Sequence, residues 1–236
     1  MKPLDKENFN KVTALVSQVT INNLFARSIV EQKVTGRIFV DETDNPSTAY
    51  IIHPYSMTLL TGDGSNQAFN EWFKDYALNT AGQRSAHEWM QAWPDAWDRI
   101  LPALFADRLV KSADNKANRD KGIIELNTRV NFRFNKEKFL ASRKEVTDQA
   151  IRIVQTDRPL FRAMQGSVIP ASFWDTEDDF FNHGLGYSLL YNDQLAAMAF
   201  SSFWFDDQFE LGIETVPAFR GKVLAEIICT ALLEYF

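Results

Sequence analysis

A chain of 236 residues with 25 Lys and Arg against 31 Asp and Glu carries a formal charge of −6, which excludes the broadly basic surface of a general nucleic-acid binder. One cysteine, Cys229, excludes an internal disulfide, and neither an export signal nor an apolar run of about 18 residues is present. The cytoplasm is the expected compartment, with no membrane partner.

Area scaling allows roughly 11,000 Å² of folded surface against roughly 39,000 Å² unfolded, so the chain can bury a full core. Its length suits two domains of about 100 to 200 residues each. Phe9, Val12, Val16 and Val19 recur at steps of three and four, which predicts a core-facing helix that Asp5 could cap. Gly36 to Val40 and Ala49 to Ile52 read as two strands around the turn-rich Asp41 to Ser47, and Met57 to Leu60 as a third.

The glycine-rich Thr61 to Asn66 leads into an amphipathic helix from about Gln67. A phosphate cradle at a helix start is one reading. The stretch lacks the spacing of either phosphate-binding glycine motif, and a plain turn with Ser65 or Asn66 as the helix cap is preferred. Ser85 to Lys111 is helical in pattern, broken by Pro94 and Pro102, with Trp89, Trp93, Trp97, Ile100, Leu101, Leu104 and Phe105 as core bulk. The polar run Lys111 to Gly122 marks the expected boundary between a domain of residues 1–120 and one of residues 121–236.

Asn127 to Phe134 alternates polar with apolar and predicts a strand; Lys136 to Val146 predicts a helix. The stretch from Thr147 to Phe181 is mixed. Its acidic run Asp175 to Asp179 opens a short helix ending at His183 and Gly184, where carboxylates favour the positive end of the helix dipole. Leu185 to Tyr191, Gln194 to Phe205 and Gln208 to Val216 predict consecutive hairpins turning at Asn192-Asp193 and Asp206-Asp207. Pro217 ends the last strand, and Arg220-Gly221 opens an apolar helix from Lys222 to Phe236, in which Cys229 is a small buried residue. His53, His87 and His183 are dispersed, and Gln91 stands where a zinc-binding His-Glu-x-x-His helix would place its second histidine, so no metal site is expected.

A strand that stops at a proline and re-enters as a helix leaves backbone N–H groups unpaired at the helix start. The dipole, Arg220 and Lys222 add positive potential there, enough for a pyrophosphate on an acidic chain. Glu210 and Glu214 share one side of the strand, opposite Leu211 and Ile213, and either could take a proton from an attacking amine. Both are equally explained as exposed strand carboxylates.

The run Glu210 to Ala225 closely resembles the central acetyl-coenzyme A motif of the GNAT N-acetyltransferase superfamily. In that motif a strand passes through a proline turn into a helix start: Arg or Gln, two residues, Gly, one residue, then Gly or Ala. Gly184 to Ser202 resembles that superfamily's second and third strands, and Phe173 to Phe180 resembles the subgroup that includes the zwittermicin A resistance acetyltransferase. The resemblance implies an α/β (α+β) chain with a GNAT acyl-CoA N-acyltransferase fold in its C-terminal half, after a mixed helix and strand domain that shapes the acceptor site. It implies acetyl transfer from acetyl-CoA to a primary amine of a small molecule, such as an antibiotic. Backbone amides of Arg220, Gly221, Lys222, Val223, Leu224 and Ala225 would hold the pyrophosphate. The strand end at Glu214, Thr215 and Val216 would pair with the pantetheine arm.

Two departures stand out. Val223 occupies the motif's central glycine, where a side chain crowds the phosphates. The superfamily also continues past this helix with further strands and a helix, commonly supplying a tyrosine near the cofactor sulfur. The domain is thus expected to lack its last strands, and an apolar helix ending in Tyr235-Phe236 calls for a cover, either more chain or a partner such as a homodimer mate. The rival readings are a non-catalytic acyl-CoA-binding or regulatory module and a purely structural interaction protein.

Overall fold

The computed structural model describes residues 1–111, 122–143 and 146–235. The chain forms two compact units, Met1–Phe132 and Arg133–Phe236. The polar run expected to hold the boundary lies mostly outside the described residues.

The first unit is built on a five-stranded sheet in chain order: β1 (Lys2–Pro3), β2 (Arg37–Val40), β3 (Thr48–Ile52), β4 (Met57–Gly62) and β5 (Trp89–Trp93). All neighbours are antiparallel except β4 and β5. Both β3 and β4 are almost wholly buried because helices cover both faces. On one side lie α1 (Thr13–Ser17) and α2 (Leu24–Val30); on the other, Tyr50, Ile52 and Leu60 meet Phe69, Phe73 and Tyr76 of α3 (Gln67–Leu78) and Trp97 and Phe105 of α4 (Trp97–Phe105). Period-2 alternation along the strands sends alternate apolar residues into the two layers. A parallel pair, β6 (Leu109–Lys111) with β7 (Ile124–Leu126), completes the unit.

Three expectations need correction here. Phe9, Val12, Val16 and Val19 are all buried, but a 3-10 turn over Lys6–Val12 precedes the short α1, and Asp5 makes no side-chain cap. Trp89 to Trp93 is a strand and not the start of a helix. Its Met90 and Ala92, two apart, pack on the core, and the helix begins only after Pro94. Residues 127–134 form no strand; Val130 and Phe132 are exposed, because alternation specifies a face but cannot supply a pairing partner.

The second unit is an antiparallel sheet ordered β11 (Gln208–Thr215), β10 (Gln194–Phe205), β9 (Gly186–Tyr191) and β8 (Ile151–Gln155). Asn192 and Asp193 both take positive φ, as a tight hairpin following the strands' right-handed twist requires. One face carries α8 (Leu224–Leu233), whose Leu224, Ile228 and Leu232 pack on Leu185, Leu189, Ala196, Ala197 and Ala199. The three alanines let the helix approach closely.

The opposite face is aromatic. Phe161 of α6 (Arg158–Ala163), Phe180 of α7 (Glu177–His183), Phe173 and Trp174 cluster with Phe200 and Phe203 of β10. The acidic opening of α7 is structural: Thr176 caps the helix and Glu177 pairs with Arg158 and Arg162. A short helix, α5 (Lys136–Ser142), lies in the same unit. Among the described residues no helix is long and apolar enough to cross a membrane, and no cluster of three metal-binding side chains occurs.

Candidate active site

Strand β11 ends the sheet, so one of its edges faces no other strand. Its last residues, a single 3-10 turn over Pro217–Phe219, and the entry to α8 form one continuous bend. Val216 N–H donates to Ala196, Phe219 N–H to Val216 and Arg220 N–H to Pro217. Past that point the donors change character: among the described residues, the backbone N–H groups of Gly221, Lys222, Val223, Leu224 and Ala225 donate to no protein acceptor. Leu224 and Ala225 open the first turn of a helix, where no intrahelical carbonyl is available; Gly221, Lys222 and Val223 lie in the bend that leads into it, and α8 has no side-chain cap.

The helix therefore starts at Leu224, two residues later than its apolar pattern suggests, because the bend runs through two left-handed residues. Gly221 (φ 79°) does so without strain, and a side chain added there would meet nothing within 4 Å. Val223 (φ 62°, ψ 14°) does so as a β-branched residue, at a cost of about 1 to 2 kcal/mol. This explains the motif's glycine at this place in geometric terms. The Val223 side chain is 62% exposed and packs into no core, so it neither closes the bend nor anchors it.

The expected cations are partly committed elsewhere. Lys222 Nζ sits 4.4 Å from the centre of the Tyr191 ring, a cation–π contact. Arg220 donates through Nε to the Thr215 carbonyl (3.1 Å) and through Nη2 to Glu214 Oε1 (3.3 Å). Thr215 N–H also turns to Glu214 Oε1 (3.2 Å). The strand end expected to be open at Thr215 and Val216 is thus closed by its own neighbours.

Glu210 and Glu214 lie on the same side of β11, but their surroundings differ. Glu210 is half-buried. Glu214 is only 7% exposed, and its Oε2 accepts the N–H groups of Ser167 (2.9 Å) and Val168 (3.0 Å). Burial pushes its carboxyl up, but these bonds, Thr215 N–H and Arg220 outweigh that and hold it below the ordinary 4.5. The approach of the loop is possible only because Gly166 (φ 151°) has no side chain; a Cβ there would lie 2.4 Å from Glu214 Oε2. The sequence pattern assigns no site role to the loop 166–168, and Tyr191 figures in it only as the end of a strand. A glycine between Gln165 and Ser167 signals a bend, and nothing in that pattern says which carboxylate it will clasp.

Cys229 lies half-buried in α8, where burial pushes its thiol up to about 11. The phrase Phe173 to Phe180, which carried the subgroup resemblance, supplies sheet-covering aromatics and the cap of α7.

Comparison with known proteins agrees with this architecture. A model of the family described as GNAT acetyltransferase matches residues 14–235. The chain is 18% identical over 211 residues, 89% of its length and 75% of the relative's, to "Uncharacterized N-acetyltransferase YdfB" of Bacillus subtilis (strain 168). It resembles in fold the solved GCN5-related N-acetyltransferase-like protein from Streptococcus suis 89/1591, with a TM-score of 0.62 and 15% identity, covering 97% of this chain and 84% of that one. A sheet of this order, an uncapped helix start behind its last strand and a family match over nearly the whole chain converge: the protein belongs to the GNAT acetyltransferase family and is an acetyltransferase of that type.

Proposed function

We propose that the protein transfers an acetyl group from acetyl-CoA to a primary amine of a small molecule, in the manner of the zwittermicin A resistance subgroup that its sequence resembles. The observation carrying this reading is the row of donors from Gly221 to Ala225, five successive N–H groups with no protein acceptor among the described residues. Such a row at a helix N-terminus fits a pyrophosphate. The open space beside Gly221 lets one approach.

Arg220 to Ala225 would hold the diphosphate, and Thr215 and Val216 the pantetheine arm, once Arg220 leaves the Thr215 carbonyl. When bound, the cofactor supplies an acetyl thioester. The chain's own task is then to bring the amine to its neutral form and to keep the turn in place. We assign proton removal, directly or through water, to Glu210. Glu214 is a positioning residue: a carboxylate held below 4.5 by four donors is a weak base near neutral pH.

The test is release of coenzyme A thiol from acetyl-CoA in the presence of a panel of primary amines. Turnover should appear with at least one amine and fall about a hundredfold in Glu210→Gln. No thiol release with any amine would overturn the transferase chemistry, and unchanged turnover in the variant would remove Glu210 from it.

A further inference from the structure

The first unit holds a cavity of about 490 Å³, lined among others by Arg37, His53, Gln83, Arg84, Ser85 and Glu88. None of these takes part in the site described above. The Glu88 carboxylate is held in place at two points: Oε2 accepts the Tyr50 hydroxyl and Oε1 the Tyr76 hydroxyl, each at 2.6 Å. Burial pushes both phenols above their ordinary value of 10, and the charge on Glu88 adds to this, so both remain protonated donors. Each carboxylate oxygen thus takes one bond and keeps acceptor capacity.

The positive groups in the same wall leave that carboxylate alone. Arg84 spends Nε and Nη2 on the Tyr76 and Ala77 carbonyls (3.2 and 2.6 Å), which close the C-terminal end of α3. Arg37 makes one long hydrogen bond, 3.5 Å from Nη2 to the Tyr76 hydroxyl, and its guanidinium lies 5.8 Å from the centre of the Phe39 ring. Among the described residues neither arginine reaches a carboxylate, and Glu88 reaches no cation. His53, fully buried, accepts the Tyr55 N–H on Nδ1 (3.0 Å), so in the neutral ring Nε2 carries the proton.

One cavity is therefore walled by an oriented anion and two cations that do not neutralise one another. Glu88 and Arg84 are half-buried and Arg37 is exposed at the mouth, and a ligand bearing both signs can pair with the anion and the cations together. We propose that this cavity binds a small zwitterion of the α-amino-acid class, with its ammonium on Glu88 and its carboxylate on Arg37 and Arg84. Arg37 can meet the carboxylate with the two parallel bonds of a guanidinium fork, and Arg84, with Nε and Nη2 taken, adds a donor from Nη1. The volume lies within the usual range of small-ligand sites and leaves room for a side chain.

The site is independent of the acetyl-CoA reading and is tested without a donor. Calorimetry on the full chain would use the standard L-amino acids, their methyl esters, their N-acetyl forms and inorganic phosphate. At least one amino acid should bind, with its ester and its N-acetyl form each about tenfold weaker or worse. Glu88→Gln should weaken the free amino acid while leaving the N-acetyl form unchanged, and Arg37→Gln should do the same with respect to the ester. No amino acid binding, an ester or phosphate binding as tightly as the parent, or wild-type affinity in both variants would each overturn the proposal. Should Glu88→Gln fail to fold, the exposed Arg37 decides the matter by itself.

Discussion

Two strand-to-helix turns in this molecule have opposite chemistry. The turn from β4 into α3 is rich in glycine, with Gly62 and Gly64, yet several of its backbone groups are met by its own side chains. Asp63 accepts the Ser65 N–H and hydroxyl (3.0 and 2.6 Å), Asn66 accepts the Phe69 N–H (3.1 Å), and Asn70 donates to the Gly64 carbonyl (2.7 Å). The turn from β11 into α8 has one glycine and an open row of N–H groups. Residues 217–225 contain no Ser, Thr, Asn, Asp or Glu, so no side-chain oxygen is at hand to cap them. Glycine reports the shape of a backbone; the local supply of side-chain oxygens decides whether its donors are left for a ligand.

The α8 turn is steadied from outside, by Glu214, and removing that support should give the largest effect. Glu214→Ala orphans the N–H groups of Ser167 and Val168 and frees Arg220, and chemical denaturation should show a loss of about 3 kcal/mol. The same group sets a pH limb. Its folded pKa is lowered, so its contribution is present above about 4.5 and is lost as pH falls through the folded value. Glu214→Gln should flatten the acid limb; an unchanged limb would place the sensitivity elsewhere.

Next in size, Asn66→Ala should cost about 1 kcal/mol through the lost cap and leave coenzyme A affinity as it was. A change in that affinity would mean the two turns are not separate in function. Smallest is Val223→Gly. Relief of left-handed strain, about 1 to 2 kcal/mol, is offset by about 0.5 to 1 of added unfolded-state entropy, for a net gain below about 1.5 kcal/mol. Acetyl-CoA should bind more tightly by calorimetry, and equal affinity would show that Val223 does not crowd the phosphates.

Much of the second unit was legible because its signals are local. The three strands β9, β10 and β11 follow alternation and turn residues, and α8 follows its apolar stripe. By contrast β8, five residues within a mixed segment, owes its place to pairing with β9, which no local pattern encodes. The same limit explains β5: Trp89, Trp93 and Trp97 are spaced as on a helix, but a parallel seat beside β4 decided the matter. At the site, the donors of the α8 turn could be read from Pro217 and Arg220-Gly221. The clasp of Glu214 by residues 166–168 could not, since it joins positions more than forty apart.

The half-buried sulfur of α8 has a practical corollary. With its pKa at about 11, Cys229 exists as thiolate in roughly one molecule in ten thousand at pH 7. Disulfide reagents should therefore react slowly with the protein itself. A colour change in an acetyl-transfer assay read by such a reagent would come from the product, with the folded enzyme a nearly silent background.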